Sequence, residues 1–378
     1  MNFGFTEEQE LLRKTARAVI DEHAPVAEAR RVLEQGAPHS TALWRRLAEL
    51  GWAGLGVPEA LGGAGLTWVE LCILCEELGR NLVPVPFLPH ALATAAVVEF
   101  ASAAQRAAWL PRMASGDLLA TIDLLAAERK PALRAEPHAG GLRLRGMLPF
   151  VPDVASAQLL IARVLLHDET HLVAIPTSTR GMEPRRLQAL DPLRPLYEVA
   201  CDDVEVSADA LLGERTPSAS AQGALVDRAL VLIAAEMLGG AEKCLESAVA
   251  HAQQRVQFGK PIGVHQAIKH KCADMLFGVE AARSITYYAA WAARERHPDA
   301  SLLASMAKAT AGEAFRRAAS DNLQIHGGVG FTWEYDCHLY LRRARSDDAW
   351  LGGSSIQRER IARVLGFEGS ARPGHHSE

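Results

Sequence analysis

The sequence predicts an α+β chain built as three consecutive blocks, helical, then β, then helical. Three observations carry that reading. Up to about residue 115, apolar residues recur at helical spacing between Pro and Gly breaks. From about Asp117 to Leu212 the apolar runs shorten and are bounded by Gly, Pro and Asp, as strands are. From Ala221 to about Gly366 the helical spacing returns.

In the first block, Phe5-Thr6-Glu7-Glu8-Gln9 predicts a capping box, with Thr6 accepting from a first-turn amide and Gln9 reaching back. Leu11, Leu12, Ala16 and Ile20 continue the apolar stripe until Pro25, which disfavours further helix. Trp44, Leu47 and Leu50 form a second stripe, and Gly62-Gly63-Ala64-Gly65-Leu66 is a loop by its glycine content. Residues 69–79 and 88–101 read as further helices. In the middle block Leu142-Arg143-Leu144-Arg145-Gly146 alternates apolar and charged, which suits a half-exposed strand, and 157–162 and 171–176 read as strands. In the last block Ile268, Cys272, Met275, Leu276, Val279, Ala282 and Ile285 step along a long amphipathic helix. Gly239 and Gly240 either leave room for a bulky ligand or allow close helix packing. The polar tail from Gly369 to Glu378 reads as disordered.

With 378 residues, 49% hydrophobic and 22% charged, the chain fits a soluble globular protein of two or three structural units. A net charge of −5 gives no electrostatic reason to expect nucleic acid or an anionic membrane as partner. No apolar stretch reaches bilayer length and no basic-then-apolar leader opens the chain, so a cytoplasmic location with reduced thiols is expected. Of six cysteines, only Cys72 and Cys75 are close. They could form a redox or zinc pair, but their helically spaced neighbours and the lack of a second Cys/His pair favour core packing.

Three stretches carry a resemblance. They are Leu50-Gly51-Trp52 to Val57-Pro58-Glu59 with Gly62 to Gly65; Arg255-Val256-Gln257-Phe258-Gly259-Lys260-Pro261-Ile262 with Gln266 and Ala273-Asp274-Met275; and Gln324-Ile325-His326-Gly327-Gly328-Val329-Gly330-Phe331 with Glu334-Tyr335. In this order and spacing the chain resembles the acyl-CoA dehydrogenase family over nearly its whole length. The resemblance implies an N-terminal helical domain (1–115), a middle β-barrel-like domain (116–213) and a C-terminal four-helix bundle (214–368), followed by the tail (369–378). It also implies FAD as cofactor, an acyl-CoA thioester as substrate, an electron-transfer flavoprotein as acceptor, and a homo- or hetero-oligomer, dimer or tetramer. In that chemistry a carboxylate removes the α-proton while hydride passes from the β-carbon to flavin, and donors hold the thioester oxygen. By the match, Arg255 contacts the FAD pyrophosphate, Phe258 and Gln266 line the flavin site, and Gln324, Gly327 and Gly328 reach the adenosine of FAD bound by a neighbouring subunit.

The pattern breaks in two places. Where the family carries its glutamate, ahead of Ile356-Gln357-Arg358, this chain has Leu351, which cannot accept a proton. Asp227 is the displaced candidate for the base, although the ungapped match for the alternative family position is Ala229; an acidic residue early in a helix is also favoured by the dipole. Glu236 is a weaker candidate. The second break is in the β block. The Thr-Glu…Gly-Ser-Asp loop of the family is replaced by residues 120–130, without Gly or a Ser-Asp pair, and the strand beside the flavin reads Phe150-Val151-Pro152-Asp153, where Pro152 lacks a donor. Three readings stay open: an α,β-dehydrogenating flavoenzyme, a non-catalytic partner subunit sharing an FAD site, or a thioester binder with other flavin chemistry.

Overall fold

The computed structural model describes residues 4–125, 130–213 and 218–367. Residues 126–129 of the replaced loop and the tail 369–378 lie outside the described residues. Helix α1 (Glu7–His23) opens on the expected capping box: the Thr6 amide donates to Gln9 Oε1 at 3.0 Å and the Gln9 amide to Thr6 Oγ1 at 3.3 Å. α2 (Val26–Glu34) starts after Pro25, and α3 (Thr41–Glu49) buries Trp44 and Leu47. Leu50, expected in the same stripe, lies past the helix end and is exposed. α4 (Trp68–Arg80), α5 (Phe87–Phe100) and α6 (Ala103–Ala114) complete the first block. Cys72 and Cys75 are packed inside α4, and burial pushes both thiols well up, as suits core residues.

The middle block is a seven-stranded sheet of β1 (Ala120–Ile122), β2 (Leu133–His138), β3 (Gly141–Pro152), β4 (Leu159–Leu166), β5 (Glu169–Pro176), β6 (Met182–Arg186) and β7 (Leu196–Ser207). The order is β1-β4-β2-β3-β7-β6, with β5 antiparallel to β4. Two register shifts between β3 and β7 bend the long strands, so the sheet curls over a core that includes Leu144, Leu148, Val164 and Val199. Along β3, Leu142 and Leu144 face inward while Arg143 and Arg145 pair outward with Glu205 and Asp203, as the alternation requires.

The last block holds α7 (Ala219–Gln254), α8 (Gln266–Glu295), α9 (Ala300–His326), α10 (Cys337–Ala349) and α11 (Ser354–Val364). On α8 the inward stripe is Met275, Val279, Ala282 and Thr286. Leu276, expected on that stripe, is exposed, because it sits one residue and so about 100° round from Met275. α4 crosses α7 backbone to backbone. A Cβ on Gly239 would lie 1.9 Å from the Glu76 carbonyl oxygen, one on Gly79 would lie 2.2 Å from that of Glu236, and Gly240 sits under the Phe315 ring. The glycine pair therefore serves close packing. Among the described residues no helix is long and apolar enough to cross a membrane.

Candidate functional site

Two groups of polar residues stand out, one open and one closed. The open group is at the end of the helical bundle where α7 and α9 both finish. α7 ends at Arg255, whose carbonyl accepts from the Ile262 amide at 2.8 Å and so closes a small hairpin of residues 256–261. Its turn residues Phe258 and Gly259 both have positive φ, and Phe258 is 98% exposed. Gln266 opens α8 on the same hairpin and is exposed. α9 ends at His326, and Gly327 takes a positive φ to turn the chain into a short 3-10 segment. His326 stacks on His251 of α7 with ring centroids 4.0 Å apart, and Tyr335 stands edge-on to both rings. This ring stack brings the Arg255–Phe258 and Gln324–Gly328 stretches to one end of the bundle.

All of Arg255, Phe258, Gln266, Gln324, Gly327 and Gly328 are exposed. Nothing lies within 4 Å of where a Cβ on Gly327 or Gly328 would be, so their backbone is open to a ligand or a neighbouring chain. Phe331 and Trp333 extend the surface with exposed rings, and Arg30 fastens the loop through the Trp333 carbonyl and Asp336. The arrangement offers a guanidinium fork, bare backbone and exposed apolar rings at one end of the bundle.

The closed group lies between the sheet and the helices. The loop between β6 and β7 drops Asp191 and Arg194 onto α7 and α10. Arg343 of α10 donates to Asp191 and, at 2.8 Å, to Glu236 of α7; Arg194 pairs with the same Glu236. The Arg194 guanidinium also lies 4.7 Å over the Trp350 ring. Asp153, at the end of β3 with positive φ, donates its amide to the Pro195 carbonyl at 3.0 Å. Asp347 approaches Arg194 only to 4.0 Å, and neither of its oxygens has a hydrogen-bond partner among the described residues.

Asp153, Asp191, Glu236 and Asp347 thus face two guanidiniums, those of Arg194 and Arg343, in a largely buried seam. Burial alone would push every carboxylate up. At Glu236 the two arginines outweigh burial and hold the acid below its ordinary value. At Asp153 and Asp347 burial wins, and both are pushed up to about 7. Protonating those two leaves two carboxylates against two guanidiniums, a neutral cluster. Glu236, the weaker candidate for the base, is occupied twice over and forms the hub of an ion-pair network instead.

This charge balance has a consequence for pH. An aspartate in the unfolded chain titrates near 4, so at Asp153 and Asp347 the folded chain holds more protons than the unfolded one between about pH 4 and 7. That stabilisation is complete below the lower value and lost as pH rises through the upper. Asp347 feels Arg194, Glu236, Arg343 and Asp191, and Lys308 stands on its other side. Asp347→Asn, fixed in the uncharged form, should therefore gain on the native chain by on the order of 2 kcal/mol from about pH 5 to 8. Urea midpoints at each pH give the measurement; curves that run parallel for both proteins would exclude Asp347 as the titrating group.

Leu351, expected from the resemblance to stand where the family carries its glutamate, follows Trp350 at the edge of the closed group. Leu351 is 3% exposed with a positive φ, and its carbonyl accepts from Gln357 at 2.7 Å. Lys308, buried in α9, donates to the carbonyls of Asp348 at 3.0 Å and Gly352 at 3.4 Å, and pins the turn from both sides. Burial pushes its ammonium down to about 8. Across the seam, buried Thr121 donates to the Pro152 carbonyl at 2.6 Å, and Asp123 lies 3.5 Å from Arg163. Within the stretches 120–130, 150–153 and 349–355, Thr121, Asp123, Val151, Pro152, Asp153, Trp350 and Leu351 are buried, while Lys130, Phe150, Ala349 and Ser355 are exposed. The open end carries groups that fit the phosphates and adenosine of FAD, whereas the seam is filled by ion pairs.

Asp227 takes part in neither group. It lies on the early turns of α7 and accepts from Arg360 of α11 and, at 3.3 Å, from Ser301 of α9. Burial raises its pKa and Arg360 opposes the rise. Sequence reading missed Asp191 and Arg194, which stand in a Pro-flanked loop with no periodicity to mark them, and Arg343, one of several arginines on α10.

Residues 6–117 match the model described as acyl-CoA dehydrogenase, N-terminal domain, and residues 220–366 match that described as acyl-CoA dehydrogenase, C-terminal domain. The chain is 33% identical over 344 residues to acyl-CoA dehydrogenase IpdE2 of Mycobacterium tuberculosis, covering 89% of this chain and 91% of the relative. It is 32% identical over 388 residues to an acyl-CoA dehydrogenase of Bacillus subtilis, covering 95% and 98%. Among solved structures, the ChsE4-ChsE5 complex from Mycobacterium tuberculosis is similar at a TM-score of 0.90 and 26% identity, over 98% of this chain and all of that one. A Tcur3481-Tcur3483 steroid ACAD is similar at 0.85 and 29%, over 96% and 98%.

Proposed function

The chain belongs to the acyl-CoA dehydrogenase family of FAD-dependent oxidoreductases, and from that membership we propose that it acts as the non-catalytic subunit of a heteromeric acyl-CoA dehydrogenase. One observation carries this reading. Where a catalytic chain needs room for a flavin ring and a base, this one has buried Asp153, Glu236, Arg343 and Leu351, with Arg194 nearly buried among them. Two of the similar solved structures are named for pairs of chains, which agrees with it.

In this role the open end of the bundle completes the FAD site of a related catalytic chain. Arg255 offers its fork to the pyrophosphate, Phe258 and Gln266 cover the cofactor, and the bare backbone of Gly327 and Gly328 beside Gln324 admits the adenosine. FAD supplies hydride acceptance when bound. The acyl-CoA thioester and the route of electrons to an electron-transfer flavoprotein belong to the companion. A second reading makes this chain itself the dehydrogenase with Asp227 as base. The burial that raises the pKa of Asp227 favours it, and the pairing with Arg360 and Ser301 weighs against it.

The visible spectrum separates the two. Purified alone, the chain is expected to be colourless; co-purified with its companion it should carry flavin that acyl-CoA bleaches. Arg255→Gln in that pair is expected to weaken flavin retention about tenfold, the loss of roughly one charge-assisted contact. A lone chain with stoichiometric flavin bleached by acyl-CoA would overturn the proposal, and abolition of that bleaching by Asp227→Asn would then establish the second reading.

A further inference from the structure

Where the start of α4, the outer face of α5 and the end of α8 meet, the protein holds a cavity of about 470 Å³, within the range of small-molecule sites. Its lining combines apolar Trp68, Leu71, Ala95 and Val98 with four guanidiniums, Arg106, Arg228, Arg294 and Arg296, and Glu99 as the single carboxylate. In a chain of net charge −5, four guanidiniums about one acid form a local reversal of sign.

Following each partner shows what is left over. Arg228 pairs with Glu99 and stands 5.2 Å from the centre of the Trp68 ring. Arg294 turns to Glu295 at 2.7 Å. Arg106 donates to the Val98 carbonyl at 3.4 Å, which neutralises no charge. Arg296, in the left-handed conformation that ends α8, donates its amide to the Ala292 carbonyl, but its guanidinium makes no hydrogen bond or ion pair among the described residues. Its charge adds to burial in weakening the hold of Arg228 on its proton. The α8 dipole favours Arg294 and Arg296 where they are, but it does nothing for Arg106 or Arg228. A second observation is independent of charge. Thr94 is 4% exposed, lines the cavity from α5, and its hydroxyl has no partner among the described residues. A buried hydroxyl without a partner is costly.

An anionic oxygen would satisfy both the surplus guanidiniums and the hydroxyl. We propose that this cavity binds a small amphipathic organic anion, its carboxylate or phosphate between Arg228, Arg296 and Thr94 and its apolar body against Trp68, Leu71 and Val98. The site is separate from the ion-pair seam and from the open end of the bundle, and the proposal does not depend on which chain holds flavin.

Calorimetric titration of the full chain with octanoate, octyl phosphate and 1-octanol tests it. One or both anions should bind saturably at one site, at least tenfold tighter than the neutral alcohol. Preference between the two anions distinguishes a free acid from a phosphate ester as the natural source. Arg296→Asn, which keeps a residue tolerant of the left-handed conformation, should weaken the bound anion about tenfold. Thr94→Val and Arg106→Gln should each weaken it severalfold. Absence of saturable binding by either anion, octanol binding as tightly as the anions, or unchanged affinity in all three variants would overturn the proposal. Three substitutions on separate elements keep the outcome decisive if one of them fails to fold.

Discussion

Arg343→Met is expected to destabilise the protein by about 3–5 kcal/mol, the range for removing one partner from a buried ion-pair network. The side chain is almost fully buried and bridges Asp191 from the sheet loop to Glu236 from α7. Methionine keeps most of the volume, so the loss is electrostatic rather than a cavity. Without Arg343, Arg194 is left alone against Asp191 and Glu236 in a largely buried seam. Adding Glu236→Gln removes one uncompensated charge and should recover part of the deficit, because the two residues are in contact and not additive. Equilibrium unfolding in urea of the two single variants and the double gives the coupling. A cost for Arg343→Met under about 1 kcal/mol would mean that the cluster is solvated and that the seam is looser than its geometry.

The second large effect is expected at the crossing of α4 and α7. Gly239→Ala should cost about 3 kcal/mol or more, since the added methyl meets backbone and cannot be relieved by rotating a side chain. The comparison that isolates the cause is Gly223→Ala on the same helix, where nothing lies within 4 Å of the added carbon. There alanine should stabilise by about 0.5–1 kcal/mol through helix propensity. Opposite signs for one chemical change on one helix, read from urea midpoints, would locate the effect in the crossing; equal signs would remove it from there.

Much of the fold was legible because its determinants are local or periodic. The Thr6 capping box is read from four residues, and the inward residues of β3 and α8 from spacings of two and about three and a half. Leu276 shows where periodicity misleads: a leucine beside the stripe looks like part of it until the partner helices fix which side is inside. The open site was legible for a different reason. Arg255, Phe258 and Gln324 to Gly328 lie in two short stretches whose order and composition carry the family likeness, although their meeting depends on the His251–His326 stack. The closed site was half legible. Leu351 and Pro152 marked where the chain departs from the expected pattern, but not the ion pairs around them, because Asp153, Arg194, Glu236 and Arg343 are scattered through the chain and each is ordinary alone. Only the packing of sheet against bundle gives those charges one another.

The exposed Phe258, with Phe331 and Trp333 nearby, bears on how much of this protein a cell can keep. Large rings presented together to water are adhesive, and a chain made in excess of whatever covers them would be recognised by chaperones and proteases as unfinished. In the proposed role as a partner subunit, its steady-state abundance would then follow the supply of the companion chain rather than its own rate of synthesis. Stoichiometry between subunits would be enforced by turnover at one aromatic end of a helical bundle.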